Sequence, residues 1–555
     1  MQRALGVIGV RAVRMGGPTE PADPDPRARQ SLRQLPGLVH PADPALTTNT
    51  PRMEPARRAS GPARLQLTDQ QRSAIDADAP IVKINAVAGS GKTTTLIEYA
   101  ARRSDQSILY LTYNKSVADE VRAKVAERAL RHVAVHTIHA LAYRMTDASR
   151  FELEHELSEW RLLERYIPAE DRRTQSGLLL AWLLKDLINY YLNSSHPGID
   201  GALLELYETD SAPQARVVAL LQRRGPELLG LVRTVLGDMR SGAQPAVHDF
   251  YLKLFQFSRR PLPYDIILVD EAQDTSGVML SVVERQPARK VFVGDTFQQI
   301  YGFRHAVNSL DRLAAPALPL TQTFRFGDGL ARHIAAQVNA AYALLGEQRS
   351  VTIQGTSDTT HFGAKCPERT HPLTLIARSN LGLFQACLDR LSKGNERFFF
   401  QGGYAGYAFV NARVTGAFFL SQGRRDKVHD PFLSRFKSFA SLKDFAQQTQ
   451  NPALQTIVGL VERYGGTLFH FDKEIKARLV ERTETDLIFT TTHKAKGQEY
   501  EHVEMLRDDF LTRADLTRAL KQKGDDVDLL KLREEVNVYY VAATRARRSI
   551  KLAPF

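Results

Sequence analysis

From residue 65 to the end of the chain, short apolar runs alternate with longer stretches in which apolar residues recur at helical spacing. The runs at 81–84, 107–113 and 264–269 are rich in Ile, Val and Leu, which is typical of buried strands. Strands that alternate with helices favour parallel sheets, because parallel neighbours need a crossover between them. The pattern therefore predicts an α/β fold.

Two segments depart from this alternation. Helical spacing without strands dominates 142–257, and a mixed segment at 404–479 interrupts a second α/β pattern. We therefore predict two parallel-sheet domains, each with an inserted, largely helical subdomain. The predicted division assigns 65–141 and 258–316 to the first sheet domain, 142–257 to its insertion, 317–403 and 480–555 to the second sheet domain, and 404–479 to the second insertion.

Residues 1–64 differ in composition from the rest of the chain. They contain ten of the 26 prolines, and ten arginines against five acidic residues. No hydrophobic periodicity persists at this proline density, so we predict a disordered tail. The tail lacks the apolar stretch and small-residue cleavage site of a signal peptide. Its role stays open between a cationic tail that contacts a polyanion, a passive tail, and a start of translation at Met53.

The chain is basic, with a formal net charge of +12, which favours an acidic polymer as its partner. The two cysteines, Cys366 and Cys387, exclude a disulfide framework and a cysteine-rich metal site. A reducing compartment is therefore expected, the cytoplasm or, in a eukaryote, the nucleus. No apolar run approaches the roughly 20 residues that span a bilayer, so we expect no membrane partner.

The segment AVAGSGKT at 86–93 lies between a predicted strand and a predicted helix, which indicates a phosphate-binding loop. Its glycines let backbone N–H groups turn toward a triphosphate, and the helix directs its positive dipole end at the same charge. Lys92 is expected to reach the β- and γ-phosphates, and the Thr93 hydroxyl to ligate Mg²⁺. The predicted nucleotide-binding residues of this loop are Ala88, Gly89, Ser90, Gly91, Lys92, Thr93 and Thr94.

Two adjacent carboxylates follow the apolar strand at 266–269. A carboxylate at the carboxyl end of such a strand can hold Mg²⁺, and its neighbour can orient or deprotonate an attacking water. We assign the first role to Asp270 and the second to Glu271. Together with the phosphate loop, this pair predicts a nucleotide-hydrolysing site.

Further segments occur in a fixed order along the chain: LTDQQ at 67–71, TIH at 137–139, DEAQD at 270–274, GDTFQQIYGFR at 294–304, TFR at 323–325, TTHKAKGQE at 491–499 and YVAATRA at 540–546. This order resembles the motif series of superfamily 1 helicases of the UvrD/Rep/PcrA type. That family tolerates alanine where the generic phosphate loop has glycine, as at Ala86. The resemblance extends from residue 65 to the end of the sequence.

The resemblance implies two RecA-like domains of the P-loop NTPase class, with ATP and Mg²⁺ bound between them. It assigns Gln71 to the adenine edge, Phe324 to stacking on the adenine and Glu499 to the ribose. Charge that develops on a transferring phosphoryl group needs converging cations and a sensor of the γ-phosphate. The implied catalytic set is Lys92, Glu271, Gln298, Arg325 and Arg545.

The same resemblance implies a path for a single DNA strand, which is bound through aromatic faces and backbone contacts. The implied contact residues are Tyr113, Asn114, Thr137, His139, Tyr301, Phe303, Arg304 and His493. The implied activity is that of an ATP-dependent 3′–5′ DNA helicase or single-stranded DNA translocase in repair, recombination control or fork processing. Single-stranded DNA and DNA forks are the expected partners, with recombinase filaments as a further candidate.

The stretch LTQTFRFG at 320–327, with QQIY at 298–301 and HKAKG at 493–497, is similar to the F-box DNA helicase branch of this family. The first 64 residues leave no room for an F-box, so we expect no F-box partner. Two other functions stay open: a translocase that displaces bound proteins without efficient unwinding, because 404–479 is short, and a nucleotide-gated DNA-binding module. The residues do not discriminate between DNA and RNA.

Overall fold

The computed structural model describes residues 66–302, 308–358, 360–363, 371–507, 509–523 and 528–555. The predicted disordered tail at 1–64 lies outside the described residues. So do Phe303 and Arg304, two of the predicted DNA contacts.

The strands, in chain order, are β1 (Ile81–Ala86), β2 (Ile108–Thr112), β3 (Val133–Thr137), β4 (Leu153–Glu154), β5 (Ala246–Val247), β6 (Ile266–Val269), β7 (Arg289–Gly294), β8 (Ala317–Leu320), β9 (Gln322–Gly327), β10 (Gln354–Thr356), β11 (His361–Phe362), β12 (Leu373–Ala377), β13 (Phe398–Phe400), β14 (Leu487–Thr491), β15 (Tyr500–Met505) and β16 (Ala546–Lys551).

The α-helices are α1 (Asp69–Asp76), α2 (Lys92–Ala101), α3 (Lys115–Glu127), α4 (Ile138–Met145), α5 (Glu159–Tyr166), α6 (Gln175–Asn193), α7 (Gly201–Ser211), α8 (Ala215–Ser241), α9 (His248–Ser258), α10 (Gly277–Glu284), α11 (Ser309–Arg312), α12 (Asp328–Leu344), α13 (Asn380–Leu391), α14 (Ala412–Ser421), α15 (Phe439–Gln448), α16 (Pro452–Tyr464), α17 (Thr467–Ala477), α18 (Thr492–Ala495), α19 (Arg513–Lys523) and α20 (Leu529–Ala543).

The first domain is built on a six-stranded parallel sheet of order β3-β2-β6-β7-β1-β8. Strand β2 shows why the sheet is buried on both faces. Ile108 and Tyr110 join a core with α2 and α3, whereas Leu109 and Leu111 join the core that continues into the first insertion. Alternate residues of a strand point to opposite faces, so an almost wholly apolar strand requires cover on each side.

The structure corrects one predicted boundary, because 317–320 belongs to the first sheet and not to the second domain. Strand β8 pairs in parallel with β1, with Leu320 opposite Ala86. The Val87 N–H also donates to the Leu320 carbonyl at 3.0 Å. An edge strand belongs to the sheet that supplies its backbone partners, and the local apolar pattern does not reveal which sheet that is.

The second domain carries a six-stranded parallel sheet of order β11-β16-β15-β12-β14-β13. The prediction of two parallel-sheet domains is therefore confirmed. The first insertion consists of helices with a short parallel pair, β4 and β5. The second insertion consists of helices α14 to α17 with short 3₁₀ turns. Among the described residues, none of the helices is both long and apolar enough to cross a membrane.

Candidate nucleotide site and nucleic-acid face

The predicted nucleotide-binding residues of the loop between β1 and α2 lie together at the carboxyl edge of the first sheet. Gly89 and Gly91 adopt left-handed φ values of 76° and 77°, which glycine accepts without strain. A Cβ atom on Gly89 would lie 2.5 Å from Thr323 Oγ1 and 2.8 Å from Arg325 Cβ. The Phe324 N–H donates to the Gly89 carbonyl at 2.9 Å. The loop therefore packs closely against β9, the strand that leads into the second domain.

The side chains of this loop fit a triphosphate with Mg²⁺. Ser90 Oγ is buried without a hydrogen-bond partner, as expected for a group that awaits a ligand. Lys92 Nζ lies 4.0 Å from Glu271 Oε1. Thr93 Oγ1 lies 3.4 Å from Asp270 Oδ2, so a hydroxyl and a carboxylate oxygen are adjacent. Mg²⁺ in phosphate sites is held by one or two such oxygens together with the substrate phosphates.

Asp270 lies just beyond β6 and is almost fully buried. The Tyr110 hydroxyl donates to its Oδ2 at 2.7 Å. Burial and the neighbouring charge of Glu271 raise the pKa of Asp270 to about 6. A carboxylate with this raised pKa gains from a nearby cation, because a positive charge favours its ionised form. Asp270 is therefore suited to a metal-binding role.

Glu271 has the left-handed φ of 54°, which turns its carboxylate back toward Lys92. Burial alone would raise its pKa, but the charges of Lys92 and Lys496 outweigh burial and lower the pKa below its ordinary value. Gln273 Nε2 donates to Glu271 Oε2 at 2.6 Å and fixes its orientation. Glu271 is therefore an oriented anion, the form that accepts a proton from or aligns a water.

Gln298 belongs to a buried network that joins both domains. Its Nε2 donates to Asp295 Oδ2 at 2.7 Å. The same Oδ2 accepts from the Tyr540 hydroxyl at 3.0 Å, and that hydroxyl accepts from the Ala88 N–H at 3.2 Å. Tyr540 lies on α20 of the second domain, so the predicted γ-phosphate sensor, the phosphate loop and α20 share one set of hydrogen bonds.

Two predicted arginines approach the loop from the second domain. Arg325 Nη2 donates to Glu499 Oε1 at 2.7 Å, and its Nε is buried without a partner. Arg545 is 1% exposed. Burial and the charge of Arg325 lower its pKa to about 9. Arg325 packs beside Gly89, and the charge of Arg545 helps to lower the pKa of Glu271, so both arginines lie near the predicted phosphate site.

The three residues assigned to the nucleoside differ in exposure and in the hydrogen bonds that they already form. Phe324 is 48% exposed and lies next to Gly91, as a stacking ring requires. The Gln71 amide is already bonded, since its Nε2 donates to the Ser90 carbonyl and to Thr95 Oγ1, each at 3.3 Å. Glu499 accepts from Arg325 at 2.7 Å and from Arg547 at 2.9 Å. Gln71 thus supports the loop, and each carboxylate oxygen of Glu499 already accepts a hydrogen bond from an arginine.

Aromatic rings form part of the predicted nucleic-acid face. Tyr113, which follows β2, stacks on Tyr301 with ring centroids 5.8 Å apart and an interplanar angle of 14°. The Tyr301 hydroxyl donates to the His493 carbonyl at 3.2 Å. His493 Nε2 lies 3.1 Å from the Ile300 carbonyl. The structure therefore brings Tyr113, Tyr301 and His493 together across the two domains.

Three other predicted DNA-contact residues, Asn114, Thr137 and His139, form hydrogen bonds within the protein. Asn114 Oδ1 accepts from the Val117 N–H at 2.9 Å, and Thr137 Oγ1 accepts from the Ala140 N–H at 3.1 Å, so each caps a helix. His139 Nε2 lies 2.8 Å from Asp249 Oδ1. Their role in binding DNA stays a prediction.

Lys496 lies in the TTHKAKGQE segment, and the sequence alone indicates no role for it. Its Nζ forms a buried ion pair with Asp274 and donates to the Gln298 carbonyl at 2.6 Å. The same Nζ lies 4.9 Å from the centre of the Tyr301 ring. Lys496 therefore contacts both Gln298, the predicted γ-phosphate sensor, and an aromatic ring of the predicted nucleic-acid face. The sequence likewise indicates no role for five other residues of the site: Tyr110, Gln273, Asp295, Tyr540 and Arg547.

Comparison with known proteins adds independent findings. The AAA domain family matches residues 71–304, which contain the phosphate loop and the Asp270–Glu271 pair. F-box DNA helicase 1 of Gallus gallus is 26% identical over 494 residues, covering 85% of this chain and 47% of that protein.

Two further relatives extend the comparison. F-box DNA helicase protein 1 of Schizosaccharomyces pombe is 27% identical over 531 residues, covering 88% of this chain and 57% of the relative. DNA helicase II of Escherichia coli is 25% identical over 288 residues, covering 47% of this chain and 38% of that protein. The chain thus spans about half the length of the F-box relatives.

Proposed function

We propose, since this chain belongs to the UvrD-like superfamily 1 helicases, that it hydrolyses ATP to move along single-stranded DNA and to separate duplex strands. Translocation in the 3′–5′ direction is part of the proposal and rests on the family resemblance. One observation carries it most strongly: the phosphate loop of the first domain is in contact with β9, Arg325 and Tyr540, which belong to or lead into the second.

A site closed by two domains can convert hydrolysis into movement. Lys92 comes from the first domain, whereas Arg325 and Arg545 come from segments of the second. Cations that converge on a γ-phosphate favour the closed arrangement while the phosphate is bound, and this preference is lost after hydrolysis. The cycle would therefore alternate closed and open arrangements of the two sheets.

The residues of this chain supply most of the chemistry. Glu271 would orient the attacking water and take up its proton, and Lys92 with the two arginines would stabilise charge on the phosphoryl oxygens. Thr93 and Asp270 would hold Mg²⁺. The ion, when bound, would neutralise part of the phosphate charge.

The proposed coupling to DNA runs through the segment that carries Gln298 and Tyr301. Gln298 belongs to the hydrogen-bond network around the phosphate loop. Tyr301, three residues after Gln298, stacks on Tyr113. Lys496 contacts both the Gln298 carbonyl and the Tyr301 ring. A shift of the second domain would therefore displace the rings that hold the strand.

The first test measures ATP hydrolysis with and without single-stranded DNA. We expect stimulation by DNA, and we expect Lys92→Ala to lose activity by about 100-fold or more, because one preorganised charge contact typically contributes 10²–10³ in rate. Lys443→Ala is the matched control, since Lys443 pairs with Glu462 on the surface of the second insertion. Full activity in Lys92→Ala, or no response to DNA, would contradict the proposal.

Strand displacement on duplexes with a 3′ or a 5′ single-stranded tail tests polarity and unwinding together. Activity on 3′-tailed DNA alone is the expected result. Displacement of a bound protein without strand separation would instead favour the translocase that does not unwind efficiently. Equal stimulation of hydrolysis by RNA would extend the substrate class.

The nucleotide-gated binding module is the weaker candidate. Glu271, Gln298, Arg325 and Arg545 are all present, and a module without hydrolysis would not need them. By analogy with the relatives, we propose DNA forks as substrates, recombinase filaments as the bound proteins to be displaced, and the cytoplasm or nucleus as the compartment.

A further inference from the structure

A cluster of aromatic and imidazole rings lies where the first domain passes into its insertion. The short strands β4 and β5 run in parallel, with Glu154 opposite Val247. A histidine follows each strand directly, so His155 and His248 lie side by side. Their ring centroids are 5.8 Å apart.

Tyr251, one turn into α9, organises this cluster and is only 4% exposed. Its ring meets three others nearly edge to face: His139 at 6.2 Å, Tyr143 at 5.6 Å and His248 at 5.8 Å between centroids. His248 Nδ1 lies 3.0 Å from its hydroxyl. A buried ring with three neighbours at right angles is a rigid support, because aromatic rings prefer this geometry.

The outer members of the cluster are open to solvent. Tyr143 is 37% exposed, which places it among the few large apolar residues at the surface of the described chain. His155 is exposed as well. The acidic member, Asp249, is occupied by His139 at 2.8 Å and by Asn193 at 3.0 Å. Asp249 thus turns its carboxylate to internal partners, and the two carboxylates that flank His155, Glu154 and Glu156, pair with Arg161 and Lys185.

The cluster continues the predicted nucleic-acid face. Thr112 and Thr137 are partners in adjacent parallel strands, and Tyr113 follows the first of them. His139 and Tyr143 follow the second and lie four residues apart on α4, which places them on one face of that helix. A strand bound at Tyr113 would thus reach Tyr143 by passing over His139.

We propose that Tyr143, with His155 and His248, forms an additional subsite for single-stranded DNA on the first insertion. A base stacks on the exposed Tyr143 ring, and the imidazole N–H groups donate to the adjoining phosphate or base edge. This inference rests on the proposed function and adds a site that lies outside the motif residues.

The test compares Tyr143→Ala with Tyr143→Phe, which keeps the ring. Affinity for oligothymidylates of increasing length is measured by fluorescence anisotropy without nucleotide. For the longer oligomers we expect Tyr143→Ala to bind about 5- to 150-fold more weakly, the range that corresponds to loss of one base–aromatic stack. Tyr143→Phe should bind like the unaltered protein. Leu206→Ala is the matched control, because Leu206 is a 40% exposed apolar residue in the same insertion.

A second readout locates the base directly. Oligonucleotides that carry 2-aminopurine at successive positions should show one position whose fluorescence is quenched in the unaltered protein and in Tyr143→Phe, and restored in Tyr143→Ala. If the alanine variant unfolds at a lower temperature by circular dichroism, Tyr143→Gln replaces it. His155→Ala should weaken binding of the longer oligomers as well.

The outcomes separate this inference from the proposed function. Equal binding of every oligomer by Tyr143→Ala and the unaltered protein would overturn the subsite and leave the proposed function standing. So would a loss in Tyr143→Phe as large as that in Tyr143→Ala, because the ring would then not be the binding element. Absence of DNA binding and of DNA-stimulated hydrolysis in the unaltered protein would overturn the proposed function itself.

Discussion

Arg545 illustrates how a single buried side chain can be held ready for an anion. Its Nε donates to the Val541 carbonyl at 2.8 Å, and its Nη groups donate to the Gln498 carbonyl at 3.3 Å and to Thr544 Oγ1 at 3.0 Å. These bonds engage three of the five guanidinium N–H groups, and none of the three acceptors is a carboxylate. Burial disfavours the charged form of Arg545 more than the nearby carboxylates of Glu499 and Glu271 favour it, so a phosphate that arrives there is favoured.

His493 provides a prediction at the same scale. Burial, followed by the charge of Arg378, lowers the pKa of His493 from 6.5 to about 4. The folded protein therefore binds this proton less readily than the unfolded chain. This difference lowers the free energy of unfolding as the pH falls from about 6.5 toward 4, by up to about 3 kcal/mol in all. Above pH about 6.5 the contribution of His493 to stability is fully present.

This dependence can be measured by urea unfolding at several pH values. We expect the loss of stability between pH about 6.5 and 4 to be smaller in His493→Gln than in the unaltered protein. His470→Gln is the control, because the His470 side chain is 68% exposed. An unchanged pH profile in His493→Gln would contradict the assignment.

At the scale of elements, short segments of the second domain reach into the first. Helix α18 has only four residues, yet His493 on it contacts the Ile300 carbonyl and Lys496 just after it pairs with Asp274. Helix α20 brings the Tyr540 hydroxyl to the phosphate loop. These contacts are polar and buried, so each has a specific geometry that both domains must satisfy.

The Lys496–Asp274 pair carries the prediction at this scale. The two side chains are 8% and 1% exposed. Replacing Lys496 with Met leaves Asp274 buried without its cation, which should destabilise the protein by about 3–5 kcal/mol in urea unfolding. The ratio of DNA-stimulated to unstimulated ATP hydrolysis should also fall, because the contact to the Tyr301 ring is lost.

A double-mutant cycle distinguishes the pair from separate effects. Asp274→Asn combined with Lys496→Met should be less destabilised than the two single changes added together. Lys494→Met is the matched lysine control, since Lys494 lies 3.5 Å from the centre of the Tyr407 ring, which belongs to the insertion of its own domain. Simple additivity would show that the pair does not act as a unit.

At the scale of the whole molecule, the two insertions meet each other. Arg435 Nη2 lies 2.9 Å from Glu164 Oε1, and its guanidinium lies 4.6 Å from the centre of the Trp160 ring. Arg413 lies 3.5 Å from Glu159. These contacts join segments more than 200 residues apart, so the two insertions form a further connection between the halves of the molecule.

The contact between the insertions should be easy to break. Partly exposed ion pairs and cation–π contacts are each worth about 1 kcal/mol or less and are screened by salt. We expect Arg435→Ala, and raised salt in the unaltered protein, to shift the molecule toward a more extended arrangement by about 1–2 kcal/mol. Small-angle X-ray scattering would record this as an increased radius of gyration.

Arg397→Ala is the control for this experiment, because Arg397 pairs with Asp486 inside the second domain. It should leave the radius of gyration unchanged. No increase in Arg435→Ala at low salt would mean that other contacts hold the insertions together.

The candidate nucleotide site shows which structural features can be predicted from residues that are neighbours in the chain. The strand, the glycine-bearing loop and the helix at 81–101 are contiguous, so their geometry follows from residues that are neighbours in the chain. Asp270 and Glu271 could be placed because the carboxyl ends of parallel strands meet at one edge. The boundary near residue 317 was wrong, because the assignment of β8 depended on the free backbone groups of β1.

The sequence by itself determined the two parallel-sheet domains, the two insertions and the candidate phosphate site, since these depend on hydrophobic period and on short contiguous motifs. Tertiary structure alone decided that Lys496 meets Asp274, 222 residues away, and that Tyr251 gathers rings from α4 and α9. The reason is physical. A local pattern reports which face of an element is buried, whereas the partner on that face is chosen by the packing free energy of the whole chain.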